Sequence, residues 1–144
     1  MRTISQADLA VRLRLVIART ARRLRQEAAE ELSPSQGAAL ATIDRHGPLT
    51  PSELAVRERI QRPTATRVIA RLEERGLVDR TQDPVDRRSF VVALTPAGRD
   101  LLERVRTRKN AYLARRLRDL DADERATLDR AAAILERVLE EAGA

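Results

Sequence analysis

Apolar residues recur every three or four positions at both ends of the chain, which is the spacing of one face of an α-helix. The N-terminal stripe consists of Leu9, Leu13, Val16, Thr20 and Leu24. Ser5 precedes this stripe, and serine is a favoured residue at the start of a helix. The pattern therefore predicts a long first helix that reaches to about Glu31.

Three more helices are predicted outside the middle of the chain. Ser33 to Gln36 forms a capping box for a helix to about Asp44, and Arg45 to Pro48 is a turn. The expected inward face of that helix is Ala38, Leu40, Ala41 and Ile43. Thr95 and Asp121 can each cap a long amphipathic helix near the C-terminus. The last of these helices carries its apolar face on Leu128, Ala131, Ala132, Leu135, Val138 and Leu139.

The middle of the chain has a different order of elements. Thr50 to Glu53 is a second capping box, and a further helix is expected from about Gln61 to Arg75, with Pro63 in its first turn and Gly76 at its end. Two β-prone segments follow, residues 77–81 and 89–94, on either side of a charged turn. The prediction is a mainly α fold with a small β-hairpin wing, as in a winged helix-turn-helix domain.

The terminal helices have more apolar surface than the winged region can cover. We expect residues 32–95 to form the winged helix-turn-helix DNA-binding region and residues 1–31 and 96–144 to form a helical dimerisation region, all within one intertwined unit. A second copy would bury the long stripes in a twofold homodimer. The alternative is a monomeric bundle in which these helices fold back on one another. The residues expected in the dimer contact are Leu9, Leu13, Val16, Leu128, Leu135, Val138 and Leu139.

The charge of the chain favours an anionic partner. Its 144 residues include 28 basic and 22 acidic side chains, for a formal net charge of +6. Residues 99–118 carry eight basic and two acidic side chains, whereas residues 119–144 carry three and eight. An alternative is that the many arginines reflect overall composition and solvated helix faces, so charge only supports the interpretation.

The same composition excludes several kinds of chemistry. The chain has no cysteine and a single histidine, His46, which is assigned to a turn, so we expect no metal site and no cofactor. A glycine-rich phosphate loop and an evident pair of catalytic carboxylates are also missing, and an enzyme is not expected. Because the sequence has no run of 18 uncharged apolar residues, we expect a soluble cytoplasmic protein that does not enter a membrane.

The second helix of the central motif is the candidate DNA reader. Ala65, Val68, Ile69 and Leu72 are expected to pack inward, while the polar and basic side chains face outward and Thr66 lies near the boundary. Arginine pairs well with guanine and glutamine with adenine, and a helix fits the major groove of B-DNA. The candidate contacts on this helix are Gln61, Arg62, Pro63, Thr64, Thr66, Arg67 and Arg71.

The turn of the hairpin supplies the second group of candidates. Asp86 and Arg88 are two residues apart, so both side chains can lie on one face of an extended strand, where the carboxylate can orient the guanidinium. A narrow minor groove attracts such an arginine, while Arg87 would point towards phosphate or solvent. The alternative is a surface ion pair of little consequence.

These motifs together resemble the MarR family of transcriptional regulators over nearly the whole chain. The resemblance rests on residues 52–55, 62–78, 83–89 and 94–98. It implies an intertwined homodimer, recognition helices in successive major grooves, wings in the minor grooves and a pseudopalindromic operator. By the same resemblance Thr64, Thr66 and Arg67 contact bases or phosphates, and Arg88 enters the minor groove.

The chain also departs from the usual pattern. The turn position that is often glycine or asparagine in helix-turn-helix motifs is Arg59, and Glu58 stands where an apolar residue is common. Gln61 replaces the more usual serine at the start of the reading helix, which removes one favoured capping interaction.

The expected function is a sequence-specific double-stranded DNA-binding transcriptional regulator, acting as a ligand-responsive repressor. The alternative is a winged-helix module that binds protein without binding specific DNA. Family members often respond to small aromatic anions, but only two aromatic residues occur here, so an effector pocket would be mainly aliphatic. Arg12, Arg19 and Arg23 are the candidate anion partners, unless each is a solvated charge.

Overall fold

The fold consists of helices and one antiparallel hairpin, as predicted. The computed structural model describes residues 3–28 and 31–141, and the chain divides into two compact units, residues 1–109 and residues 110–144. The elements in chain order are α1 (Gln6–Glu27), α2 (Pro34–His46), α3 (Pro51–Glu58), α4 (Arg62–Glu74), β1 (Val78–Gln82), β2 (Phe90–Leu94), α5 (Pro96–Arg118) and α6 (Ala122–Glu141). No helix within these described residues is both long enough and apolar enough to span a bilayer.

The helices begin where the capping signals predict. The side chains of Ser33 and Thr50 each accept a hydrogen bond from an amide in the first turn, and a glutamine or glutamate reaches back to complete the box. Asp121 and Glu124 make the same reciprocal pair before α6. Thr95 caps α5 through the amide of Gly98 at 3.0 Å. These contacts satisfy amides that have no partner within the helix.

Two predicted details of the first helices are wrong. Helix α1 ends at Glu27 and not near Glu31, because Ala28, with ψ 6°, no longer has the backbone conformation of the helix, although its amide still bonds to the carbonyl of Leu24 at 3.1 Å; residues 29 and 30 lie outside the described part of the chain. In α2 the buried alanine is Ala39, next to Leu40, whereas Ala38 is exposed. Ala39, Leu40 and Ile43 share one helical face, and Ala38 falls outside it.

The core of residues 1–109 joins the helix-turn-helix to the hairpin. Its fully buried larger side chains come from α2, α3, α4 and both strands: Leu40, Leu54, Ile69, Leu72, Val78 and Val92. Strand β1 pairs with β2 from Val78 opposite Leu94 to Gln82 opposite Phe90. Leu49, just before α3, adds a bridge to Val92 through two backbone hydrogen bonds of 3.1 and 2.8 Å. The hairpin is thereby attached to the start of α3.

The outer faces of α1 and α6 are not covered within a single chain. Helix α1 has no buried residue, and Leu9, Leu15 and Val16 are each more than 40% exposed. On α6, Leu128 and Val138 are exposed and Leu139 keeps 73% of its accessible surface. Leu13 and Leu135 are half-buried. These apolar faces are larger than a helix in water normally leaves unpaired.

Gly98 in the first turn of α5 allows a close approach to the backbone after α4. A Cβ atom at this position would lie 2.0 Å from the carbonyl oxygen of Leu77. The same carbonyl accepts a hydrogen bond from the amide of Thr95 at 3.1 Å, so it is held in place. Gly98 is therefore required where α5 begins, although glycine weakens a helix.

We expect Gly98→Ala to destabilise the protein by about 1 to 3 kcal/mol, because Leu77 and α5 must separate to admit the methyl group. Urea unfolding measures the change. Gly37→Ala is the matched control, since a Cβ at Gly37 meets nothing within 4 Å and alanine favours the helix. Equal stabilities for the two variants would contradict the close approach at Gly98.

Candidate nucleic-acid interface

Helix α4 has one buried side and one basic side. Ala65, Ile69 and Leu72 are fully buried against the core, and Val68 is half-buried. These four residues recur at helical spacing, so the remaining positions face outward. No acidic residue occurs between Arg59 and Leu72 in the sequence, so the outward side is positively charged.

The outward side contains nearly all of the side chains expected on it. The exposed residues are Gln61, Arg62, Pro63, Thr66, Arg67 and Arg71. Thr64, expected outside, is half-buried, and Thr66, expected at the boundary, is exposed with its hydroxyl donating to the carbonyl of Arg62 at 3.0 Å. Arg67 donates to the hydroxyl of Thr64 at 3.4 Å. Gln61 makes no side-chain capping bond, so its amide group is free for another partner.

The turn between α3 and α4 accommodates both unusual residues of the sequence. Glu58 is half-buried, and its carboxylate accepts a short hydrogen bond from the hydroxyl of Thr42 on α2. Arg59 adopts the left-handed conformation, with φ 53° and ψ 46°. The amide of Ile60 then bonds to the carbonyl of Ala55 at 3.0 Å and closes the end of α3. The turn thus has the backbone of a glycine turn although an arginine occupies it.

A shallow cleft lies between the start of α2 and the outward side of α4. Its volume is about 220 Å³, and its walls include Ser35 and Gln36 on α2 and Thr64, Arg67 and Arg71 on α4. Gln36 also accepts a hydrogen bond of 2.9 Å from Arg75 at the end of α4. The sequence did not indicate that α2 borders the reading surface, because no local pattern reports a contact 39 residues apart.

The base of the wing is fastened to α4 by a charged side chain. The Nε of Arg80 on β1 lies 2.6 Å from the Glu73 carboxylate on α4, and its guanidinium lies 4.1 Å from the centre of the Phe90 ring. Phe90 is on β2, opposite Gln82. These contacts orient the hairpin relative to α4, and no local sequence pattern indicates any of the three residues.

The tip of the wing is a turn, as predicted, but Asp86 and Arg88 do not lie on an extended strand as their expected pairing required. The Asp86 carboxylate accepts hydrogen bonds from the amide of Arg88 at 3.0 Å and from its Nε at 3.3 Å. The predicted pairing is therefore present, but a side-chain-closed turn produces it. The carbonyl of Arg87 accepts a hydrogen bond of 3.0 Å from the side-chain amide of Gln82. The Arg88 side chain is 93% exposed, so its remaining donors are open to a partner.

A second region of positive charge lies where α2 and α3 end. The pKa of His46 is lowered from its usual value by desolvation and by the positive charges of Arg57 and Arg45. Asp44, the acidic residue nearby in sequence, pairs with Arg106 of α5 at 3.1 Å. Excess positive charge therefore remains at this end of the helices.

A cavity on the other side of α2 is the candidate small-molecule site. It has a volume of about 320 Å³, and its apolar walls come from the end of α1, from α2 and from α5. Arg25, Arg106 and Lys109 supply positive charge, and Glu31 supplies a negative one. The arginines expected there from the sequence are elsewhere: Arg12 and Arg19 are exposed outside the cavity, and Arg23 pairs with Glu27 at 2.9 Å.

Comparison with known proteins agrees with this geometry. The model of the MarR family matches residues 32–90. An uncharacterised HTH-type transcriptional regulator of Mycobacterium leprae is 39% identical over 138 residues, covering 95% of this chain and 96% of the relative. The HTH-type transcriptional repressor MdtR of Bacillus subtilis is 34% identical over 93 residues, covering 65% and 60%. The structure of a MarR family protein from Bacillus stearothermophilus has a TM-score of 0.82 at 25% identity, with 96% and 99% covered.

A helix-turn-helix followed by a paired hairpin, with a basic outer face on its second helix, defines a winged helix-turn-helix DNA-binding protein. Its relatives are regulators of transcription and not enzymes. The chain belongs to the MarR family, and it is a DNA-binding transcriptional regulator.

We expect Arg88→Ala to weaken binding to a specific duplex by roughly 1 to 3 kcal/mol, because the variant would lose the arginine that we expect to enter the minor groove. The Asp86 ion pair is exposed, so thermal stability should change little. Fluorescence anisotropy and a melting curve measure the two effects.

The matched control is Arg87→Ala, which removes the same charge from the same turn. A smaller loss of affinity for that variant separates contact in the groove from general attraction to DNA. If Arg88→Ala bound as tightly as the unchanged protein, the assignment of the wing would be wrong.

Proposed function

We propose that this protein represses transcription by binding a pseudopalindromic operator as a homodimer, and that a small anionic ligand releases it. The observation that carries the proposal is the outward side of α4, where Arg62, Arg67 and Arg71 are exposed beside Gln61 and Thr66. Side chains of these types read base edges in the major groove and bind phosphates. The exposed Arg88 at the wing tip supports a second contact in the minor groove.

The exposed apolar faces support the homodimer. Val16 on α1 and Val138 on α6 are each more than half exposed, and full burial of such a side chain stabilises a contact by about 1.5 to 3 kcal/mol. A twofold dimer would place two recognition helices on one face of DNA, about 34 to 36 Å apart. Light scattering at micromolar concentration tests this, and a persistent mass near 16.2 kDa would contradict it.

Repression follows if the dimer covers a promoter and blocks access to it. The relative MdtR of Bacillus subtilis is named as a repressor, which supports this direction of regulation. The dimer would leave its operator when the distance between its two recognition helices changes, because both half-sites can then no longer be contacted at once.

The proposed ligand site is the cavity bounded by α1, α2 and α5. Its volume of about 320 Å³ suits a small molecule, and its walls are mostly aliphatic. Arg25 and Lys109 would attract a carboxylate, so the ligand class is a small apolar acid. If such an acid weakens operator binding, the operator must weaken binding of the acid by the same factor, and paired titrations test that equality.

The decisive experiment compares DNA flanking the protein's own gene with a random duplex of equal length, at matched salt concentrations. We expect tighter binding to the flanking DNA and a steep decrease of log affinity with log salt, because bound arginines displace counterions from phosphates. The double variant Arg67→Ala/Arg71→Ala should lose most of the preference.

The alternative of a protein-interaction module has a different signature. It predicts equal, weak binding to both duplexes, because the basic side of α4 would then attract DNA only through its charge and would not recognise a sequence. That outcome would overturn the proposed operator recognition while leaving the fold assignment intact.

A further inference from the structure

Arg59 occupies a backbone conformation that is unfavourable for its side chain. Within residues 3–28 and 31–141, it is the one non-glycine residue with a positive φ. The left-handed conformation brings Cβ too close to the following carbonyl oxygen, and glycine avoids that contact. The turn itself needs only the backbone of residue 59, which closes the end of α3. Nothing in the fold therefore requires an arginine at this position.

The side chain of Arg59 is also unused by the fold. It is exposed, and no hydrogen bond or ion pair joins its guanidinium to any residue that the structure describes. Its neighbour Glu58 could have neutralised it, but that carboxylate bonds to Thr42 on α2. The charge of Arg59 is thus available to an external anion.

The position of the turn indicates that this anion is a phosphate of the DNA backbone. Arg59 is two residues before Gln61, so their Cα atoms are at most about 7 Å apart. The N-terminal end of a recognition helix meets base edges within the major groove, and the phosphates of both strands line the edges of that groove. A guanidinium just before Gln61 can reach this edge without entering the groove.

The surroundings of the turn favour a phosphate as well. Arg57 lies in the last turn of α3, and both Arg57 and Arg45 are close enough to His46 at the end of α2 to lower its pKa. The acidic residues of this region are engaged, because Asp44 pairs with Arg106 and Glu58 with Thr42. An approaching phosphate would meet positive charge and no free carboxylate from these residues.

We propose that Arg59 is a DNA-binding residue that clamps a backbone phosphate at the edge of the major groove, and that its strained conformation is retained for this contact. The inference rests on the proposed docking of α4 in the major groove. Because a phosphate contact carries no sequence information, Arg59 contributes equally to specific and non-specific binding.

The test uses three variants of the full-length protein on one random duplex and on the DNA flanking its gene. Arg59→Gly removes both the charge and the strain, Arg59→Ala removes the charge alone, and Arg59→Lys keeps both. Binding is measured by anisotropy between 0.1 and 1 M salt, with a melting curve for each variant.

We expect Arg59→Gly and Arg59→Ala to reduce the magnitude of the salt slope by about 0.9 for each arginine removed, or about 1.8 for the proposed homodimer, which is roughly a sixtyfold loss of affinity at 0.1 M relative to 1 M salt. The loss should be the same on both duplexes. Arg59→Gly should at the same time raise Tm by about 2 to 4 °C, through relief of the left-handed strain. Arg59→Lys should keep most of the affinity.

The matched control is Arg99→Ala. Arg99 is an exposed arginine in the first turn of α5, and this turn packs against Leu77, which follows the end of α4 that is farther from Arg59. It should leave both the slope and the affinity unchanged. If Arg59→Gly kept the affinity and slope of the unchanged protein, the phosphate contact would be disproved. If the unchanged protein itself bound no duplex, the proposed function would fail instead, and the two failures are therefore distinguishable.

Discussion

Burial of one side of α4 is the constraint on which the rest of the structure depends. Ala65, Ile69 and Leu72 lose all contact with solvent against the core shared by α2, α3 and the hairpin. Each buried residue fixes the rotation of the helix about its own axis, since a shift of one position would bury an arginine or a threonine. The basic side of α4 therefore faces outward as a consequence of packing on the opposite side of the helix.

The sequence was sufficient for elements that are determined locally. Capping residues such as Thr50 and Asp121 satisfy amides within three residues, so the starts of the helices could be predicted.

The site was less predictable where it depends on contacts distant in sequence, such as Arg80 with Glu73 and Phe90, or Gln36 with Arg75. The wing tip was predicted as a turn in which Asp86 and Arg88 pair, but the pairing forms within the turn and not along an extended strand, because the carboxylate of Asp86 also accepts a hydrogen bond from the amide of Arg88. In α2 the predicted buried position was wrong by one residue, Ala38 instead of Ala39. The two adjacent residues are identical, so the sequence does not indicate which of them is buried.

Acidic residues determine which arginines remain available. On α5, Arg106 pairs with Asp44, and Arg104 and Arg108 pair with Glu31, at distances of 3.1, 4.0 and 3.3 Å. These pairs are partly exposed and add little stability, but they neutralise charge away from α4. Excess positive charge therefore remains on the outward side of α4 and at the wing tip. A net charge of +6 spread evenly over the surface would not give this distribution.

The bridge between Leu49 and Val92 has a mechanical consequence. Two backbone hydrogen bonds join Leu49, two residues before the start of α3, to Val92 in the middle of β2, and Val92 is itself fully buried. Leu49 consequently takes the place of a short third strand and links the hairpin to the start of the helix-turn-helix. If α4 docks in the major groove and the wing in the minor groove, as we propose, this link would make the two groove contacts form and break together.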